Sequence, residues 1–180
     1  RPIIRSDYDD RFLADDGLKD LCRHSLAIGE IDAEGYDIIY FAGGWGAAFD
    51  LGLSEAVGDQ VSAAAAAGAV LGGVCHGPLG FLKAVGADGR PFVEGRRLTA
   101  VTDKQVRELG ITATPQHPET ELRRLGAEFE SATGRRDALA NHVVEDGDLI
   151  TGQNQNGAPM VARLMVQRML ANEVAMEIGN

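Results

Sequence analysis

The sequence predicts an α/β fold built on a mostly parallel sheet. Residues 36–42 (Tyr-Asp-Ile-Ile-Tyr-Phe-Ala) and 69–75 (Ala-Val-Leu-Gly-Gly-Val-Cys) are short apolar runs, the pattern of strands buried on both faces. A glycine-containing loop closes each run, and a helical segment follows each. Strand, helix, strand, helix in that order makes βαβ units, which pack helices on both faces of a parallel sheet in three layers.

Residues 1–35 are polar and punctuated by Asp7, Asp9, Asp10, Asp15 and Asp16, and only 18–26 carries a short helical pattern. The first strand, 36–42, ends at Gly43-Gly44. Ser54 can cap a helix through residue 67, which Gly68 is placed to end. After the second strand, Pro78 sits in the first turn of a helix that runs toward Gly86. Residues 91–93 and 98–101 flank a Glu94-Gly95 turn. Asp103 can cap a short helix ending before Gly110, and Pro118 can open another ending before Gly126. Residues 142–144 and 149–151 bracket Glu145-Asp146-Gly147-Asp148 as a hairpin. A last helix over 158–171 puts Val161, Leu164, Met165 and Met169 on one face.

Composition bounds the class. At roughly 100–200 residues per domain, 180 residues read as a single domain, 1–180. Seventeen basic against 27 acidic residues leave a net charge of −10. Such a chain lacks the basic stripe that nucleic acid requires, and an anionic membrane surface repels it. The uncharged stretch 61–80 is broken by His76, Pro78 and glycines, so it is not read as a membrane span. Two cysteines, Cys22 and Cys75, make no disulfide framework, which points to a reducing cytoplasm.

The sharpest chemical motif is Gly73-Val74-Cys75-His76-Gly77. A G-x-C-x-G between a strand and a helix is a nucleophile elbow with sulfur as nucleophile, its glycines demanded by the tight turn. The helix N-terminus that follows is expected to lower the Cys75 pKa toward the thiolate. Gly43-Gly44-Trp45-Gly46 closes the preceding strand at the same sheet edge. Its amides and that of His76 can form an oxyanion hole, with Trp45 and Gly77 lining the substrate. His76 is the candidate for proton transfer. His142 reads as structural and His24 has no chemical partner. His117-Pro118-Glu119 reads as a helix start, Pro118 at its first position and Glu119 favouring the dipole. No His, Cys, Asp and Glu set has metal-ligand spacing, so neither a metal nor an organic cofactor is expected.

These residues resemble the ThiJ/PfpI superfamily, which shares the fold of class I glutamine amidotransferases, and within it the heat-shock chaperone and glutathione-independent glyoxalase branch. The resemblance covers about 36–171 and rests on 36–47, Val74-Cys75-His76-Gly77-Pro78, 89–95, 98–103 and 142–154. It implies a flavodoxin-like sandwich, a homodimer, and Cys75 as nucleophile with His76 beside it. Two departures stand out. Relatives with a Cys-His-acid triad carry an acid where Val106 stands, leaving Asp103 or Glu119 as substitutes. The family also begins with a strand-helix unit bearing a glutamate that contacts the nucleophile. This chain starts after that unit, so it is expected to be part of a longer polypeptide.

The resemblance implies chemistry on small reactive carbonyls. The Cys75 thiolate attacks the aldehyde of methylglyoxal or glyoxal, His76 or the family's carboxylate moves a proton from C1 to C2, and water releases the hydroxy acid. Related deglycation belongs to the same reading. The rivals are a non-enzymatic chaperone or a sensor that oxidises Cys75. Amidotransferase-type hydrolysis is a further rival, needing His117 and Glu119 to face Cys75, and peptidase activity has little support in the chain.

Overall fold

The computed structural model describes residues 7–135, 137, 140 and 142–178. The chain divides into two compact units, Arg1–Ile31 and Asp32–Asn180. The first holds helices α1 (Asp7–Ala14) and α2 (Asp16–Arg23). Asp15 caps α2 by accepting from the Leu18 amide at 3.0 Å, so this helix starts and ends earlier than the 18–26 expected. The sequence pattern missed α1 because no apolar stripe marks it. Its three first-turn aspartates, Asp7, Asp9 and Asp10, favour a helix N-terminus through the dipole instead.

The second unit carries the sheet. Strand β1 (Ile38–Phe41) leads through helices α3 (Ala47–Asp50) and α4 (Glu55–Ala66) to β2 (Val70–Val74). Ser54 caps α4 as expected, accepting from the Val57 amide at 3.2 Å. After β2 come β3 (Arg97–Leu98), helix α5 (Asp103–Glu108), helix α6 (Pro118–Arg124) and β4 (Glu128–Phe129). The hairpin β5 (Val143–Asp146) and β6 (Leu149–Gly152) and helix α7 (Ala158–Ile178) complete the chain. The main sheet has the order β1-β2-β6-β5, parallel except for the β5–β6 hairpin, and β3 and β4 pair separately in parallel.

Strand alternation divides the core between the two faces of this sheet. Val70, Val74 and Ile150 point to the face that α7 covers with Val161 and Met165. Gly72 and Gly152 let α7 come close: a Cβ on Gly72 would lie 2.5 Å from Met165 Sδ, and one on Gly152 would lie 3.0 Å from Val161 Cγ2. Leu71 and Leu149 pair in register toward the other face, where α4 buries Val57, Val61 and Ala64. The fold is therefore the expected mixed α/β arrangement, a mostly parallel sheet flanked by helices. Among the described residues no helix is long and apolar enough to cross a membrane.

Three expectations are corrected. The helix expected from Pro78 toward Gly86 is a 3-10 turn, Gly77–Phe81. Gly77 and Gly80 pack against Phe41, and a Cβ on Gly80 would lie 2.8 Å from its ring. The chain then turns back, the Phe92 amide donating to the Ala84 carbonyl at 2.9 Å. Thr102, not Asp103, caps α5: its side chain accepts from the Gln105 amide while Gln105 reaches back to the Thr102 amide, a reciprocal capping box. Finally, α7 runs to Ile178, past the expected end at 171. Arg168 and Asn172 both donate to Asp148 Oδ1, at 2.8 and 2.9 Å, and hold the helix to the β5–β6 turn.

Gly77 gives a prediction. A Cβ there would lie 2.3 Å from the Phe41 carbonyl oxygen, and backbone cannot yield as a flexible side chain does. Gly77→Ala is expected to destabilise the fold by on the order of 3 kcal/mol. A lowered urea midpoint with unchanged m-value checks it.

Candidate active site

Because β1 and β2 are parallel, the loops after both emerge at one edge of the sheet. Cys75 follows β2 there with φ +58°, the left-handed region, where it is the one non-glycine among the described residues. Such backbone costs about 1–3 kcal/mol and persists only where neighbours impose it. Here its amide donates to the Gly152 carbonyl at 3.0 Å and its carbonyl accepts from Val101 at 3.0 Å. The elbow expected from G-x-C-x-G is present.

Gly43 presses onto the elbow. A Cβ there would lie 2.3 Å from the Val74 carbonyl oxygen and 3.3 Å from the His76 amide, and φ is +79°. This contact brings the Gly44 amide, beside that of His76, onto the Cys75 sulfur, where both favour the thiolate. They are the donors that a negative charge needs. The expected pKa is nevertheless corrected: burial pushes the Cys75 thiol up, and the two amides offset only part of that. A five-residue 3-10 turn replaces the full helix whose dipole was expected to lower it. Trp45 stands half-exposed with its ring 6.0 Å from that of Phe49, and Gly77 supplies close packing on Phe41.

His76 Nδ1 lies 3.5 Å from Cys75 Sγ. The ring is 2 % exposed, and burial, assisted by the nearby His117, lowers its pKa to about 4. At neutral pH the pair is thus a thiol and a neutral imidazole in contact at 3.5 Å. Nε2 is buried without a hydrogen-bond partner. The shift has a stability consequence. Between 6.5 and about 4 the unfolded chain binds a proton that folded His76 refuses, so stability is lost as pH falls through that window, by up to about 3 kcal/mol. Urea unfolding at pH 7 and pH 4.5 checks the loss, which His76→Gln should reduce.

Val106 is fully buried, and the neighbouring Gln105 is occupied elsewhere, donating to the Asp137 carbonyl at 2.7 Å and accepting from Gln153 at 3.1 Å. The substitute acids fall on the α5–α6 side. His117 makes no capping bond at the start of α6. Its Nδ1 lies 3.6 Å from Asp103 Oδ1. Glu119 accepts from the Asp103 amide at 3.0 Å and from Arg123 at 3.1 Å. The structure therefore brings His76, His117 and Asp103 together and turns Glu119 toward Arg123. Sequence reasoning missed Thr120, whose hydroxyl donates to Asp103 Oδ2 at 2.6 Å. Its place on the first turn of α6, beside Glu119, was the available signal. His142 Nε2 stands 3.5 Å from Glu130, and His24 stands beside Asp20 on α2. Among the described residues no group of His, Cys, Asp and Glu could hold a metal ion.

Known proteins resemble this chain in sequence and in fold. Glutathione-independent glyoxalase HSP31 of Saccharomyces cerevisiae is 30% identical over 139 residues, 74% of this chain and 57% of its own length. Glyoxalase 3 of Candida albicans is 28% identical over 146 residues, 79% and 62% respectively. The chain thus spans roughly three fifths of the length of these curated relatives. Among solved structures, Rapid Encystment Protein 24 KDa of Francisella tularensis superposes with a TM-score of 0.83 at 27% identity, covering 93% of this chain and 73% of that one. Glyoxalase III of Candida albicans shares the fold with a TM-score of 0.71 at 22% identity, covering 90% and 74%. The profile of the DJ-1/PfpI family matches residues 4–168, nearly the whole sequence, and the chain belongs to that family.

Proposed function

We propose that this chain converts small 2-oxoaldehydes such as methylglyoxal to 2-hydroxy acids without glutathione, with Cys75 as nucleophile. The observation that carries the reading is one sulfur held at a strained φ of +58°, with two amides aimed at it and a neutral imidazole 3.5 Å away. The glyoxalase names of the relatives at about 30% identity favour the same chemistry.

The steps balance without an external oxidant. Cys75 Sγ bonds to the aldehyde carbon C1 as its proton passes by way of His76 Nδ1 to the aldehyde oxygen, giving a hemithioacetal and returning the imidazole to its neutral form. His76 Nδ1 then takes the C1 proton and returns it to C2, through an enediol whose oxygens face the Gly44 and His76 amides. C1 is oxidised to a thioester while C2 is reduced to an alcohol, and water cleaves the C1–S bond to release the hydroxy acid and restore the thiol. A homodimer in a reducing compartment is the expected setting, with sedimentation equilibrium as the check on the dimer.

Amidotransferase-type hydrolysis has less support, because Glu119 is engaged by Arg123 rather than by His117. The test is chiral lactate analysis after incubation with methylglyoxal alone. Lactate formed without glutathione supports the reading. Its absence, in a protein shown to be folded, overturns it.

A further inference from the structure

Helix α7 is apolar on two opposite sides. Toward the sheet it presents Val161 and Met165, both buried, with Leu164 and Met169 partly covered. Its polar flank is satisfied, because Arg168 and Asn172 bond to Asp148. The side away from the sheet carries Val166, Leu170 and Val174 at 46%, 49% and 53% exposure, with Ala162 exposed beside them. Steps of four residues, 162-166-170-174, stack these side chains into one stripe along the helix. A surface helix ordinarily turns polar residues outward, so a contiguous apolar stripe there marks an interaction site.

The charges on this face identify what the stripe fits. Arg163 and Glu173 are exposed on the same side, ten residues apart, which at roughly 1.5 Å per residue is about 15 Å along the axis. Among the described residues neither makes an ion pair, whereas the neighbouring Arg168 is taken by Asp148 at 2.8 Å. Arg163, Val166, Leu170 and Glu173 follow one another at steps of three, four and three, the spacing of a coiled-coil seam. This seam is its own complement when reversed. With a twofold axis level with Arg168, Val166 of one copy meets Leu170 of the other, Ala162 meets Val174, and Arg163 meets Glu173, each twice. Parallel pairing would instead set the arginines against each other and the glutamates against each other.

We infer that the outer face of α7 is a self-association surface, on which a second copy of this chain lays its own α7 antiparallel. The apolar centre supplies the attraction, and the two flanking ion pairs select the antiparallel orientation. The chain's net charge of −10 makes two copies repel at long range. This face is locally balanced, one arginine against one glutamate, and salt at 0.15 M screens the remaining repulsion beyond about 8 Å. A seam of this length is small beside the roughly 800 Å² per partner of a standard interface. The copies are therefore expected to pair and separate with concentration. The inference goes beyond the proposed reaction and gives the expected homodimer a surface and a register.

The test is sedimentation velocity of the full chain over a wide concentration range, in which the parent is expected to pass from monomer to dimer. Arg163→Glu or Glu173→Arg alone sets like charges together at both pairs and should raise the dissociation constant about tenfold or more. An equimolar mixture of the two single variants should recover the dimer as a mixed species, because both pairs then unite opposite charges. Both substitutions in one chain should recover it too, and Leu170→Gln should weaken it. All these positions are exposed, so the thermal midpoint should stay unchanged. A parent that stays monomeric overturns both the surface and the homodimer. Dimers that none of these variants weakens keep the homodimer but overturn α7 as its surface. Weakened dimers that neither the mixture nor the double variant restores overturn the antiparallel register. The side chains point away from the sheet that carries Cys75, so the lactate test of the proposed reaction is decided independently.

Discussion

Cys75→Ser is expected to lower lactate formation from methylglyoxal by at least about 10³-fold, the scale on which removing a covalent nucleophile acts. The fold should barely respond. Oxygen is smaller than sulfur, the φ of +58° is imposed by neighbouring backbone, and the Gly152 and Val101 bonds use main-chain atoms that serine keeps. A serine hydroxyl has no accessible ionised form near neutral pH, whereas the thiol needs only to lose its proton to an imidazole already 3.5 Å away. The measurements are steady-state lactate production and the thermal midpoint of parent and variant. A serine variant with comparable turnover would mean that no bond to Cys75 forms, and the covalent route would have to be abandoned.

His76→Gln should lower kcat/KM by about 10²-fold or more, the usual contribution of a positioned acid-base group. Glutamine fills much of the buried volume, so the loss can be read as chemistry rather than as collapse of a cavity. The pH profile sharpens the expectation. A base must be unprotonated to work, and His76 is held near 4 rather than 6.5. The parent's kcat/KM should therefore keep its His76-dependent activity as pH falls through 6.5 and lose it only on approaching 4. An acid limb centred at 6.5 that disappears in His76→Gln would show an ordinary imidazole at this position, in conflict with its burial.

Much of the architecture was legible in the chain because local rules and tertiary packing agree there. The apolar run 69–75 is buried along its whole strand length, and Ser54 and Pro118 stand where helices begin. The elbow was equally legible, since a glycine on each side of a Cys-His pair between strand and helix leaves few other conformations. The length of the turn after Cys75 was not. Whether 78–86 becomes a helix depends on Phe41, a residue distant in sequence whose ring and carbonyl press against Gly80 and Gly77.

The site divides along the same line. Sequence alone singled out the candidates for the proposed chemistry: Cys75, His76, and the glycine-rich loop at 43–46. Only the tertiary structure decided their charge states and company. Burial raises the thiol and lowers the imidazole, and burial is a property of the assembled core rather than of any local pattern. The same holds for His117. Its tripeptide is a good helix start on local grounds, and Pro118 does open α6. Only the packing of α6 on the 77–81 turn and on α5 sets that ring 3.6 Å from Asp103 and near enough to His76 to act on its charge, because spacing along the chain says nothing about which helix start will face which strand end.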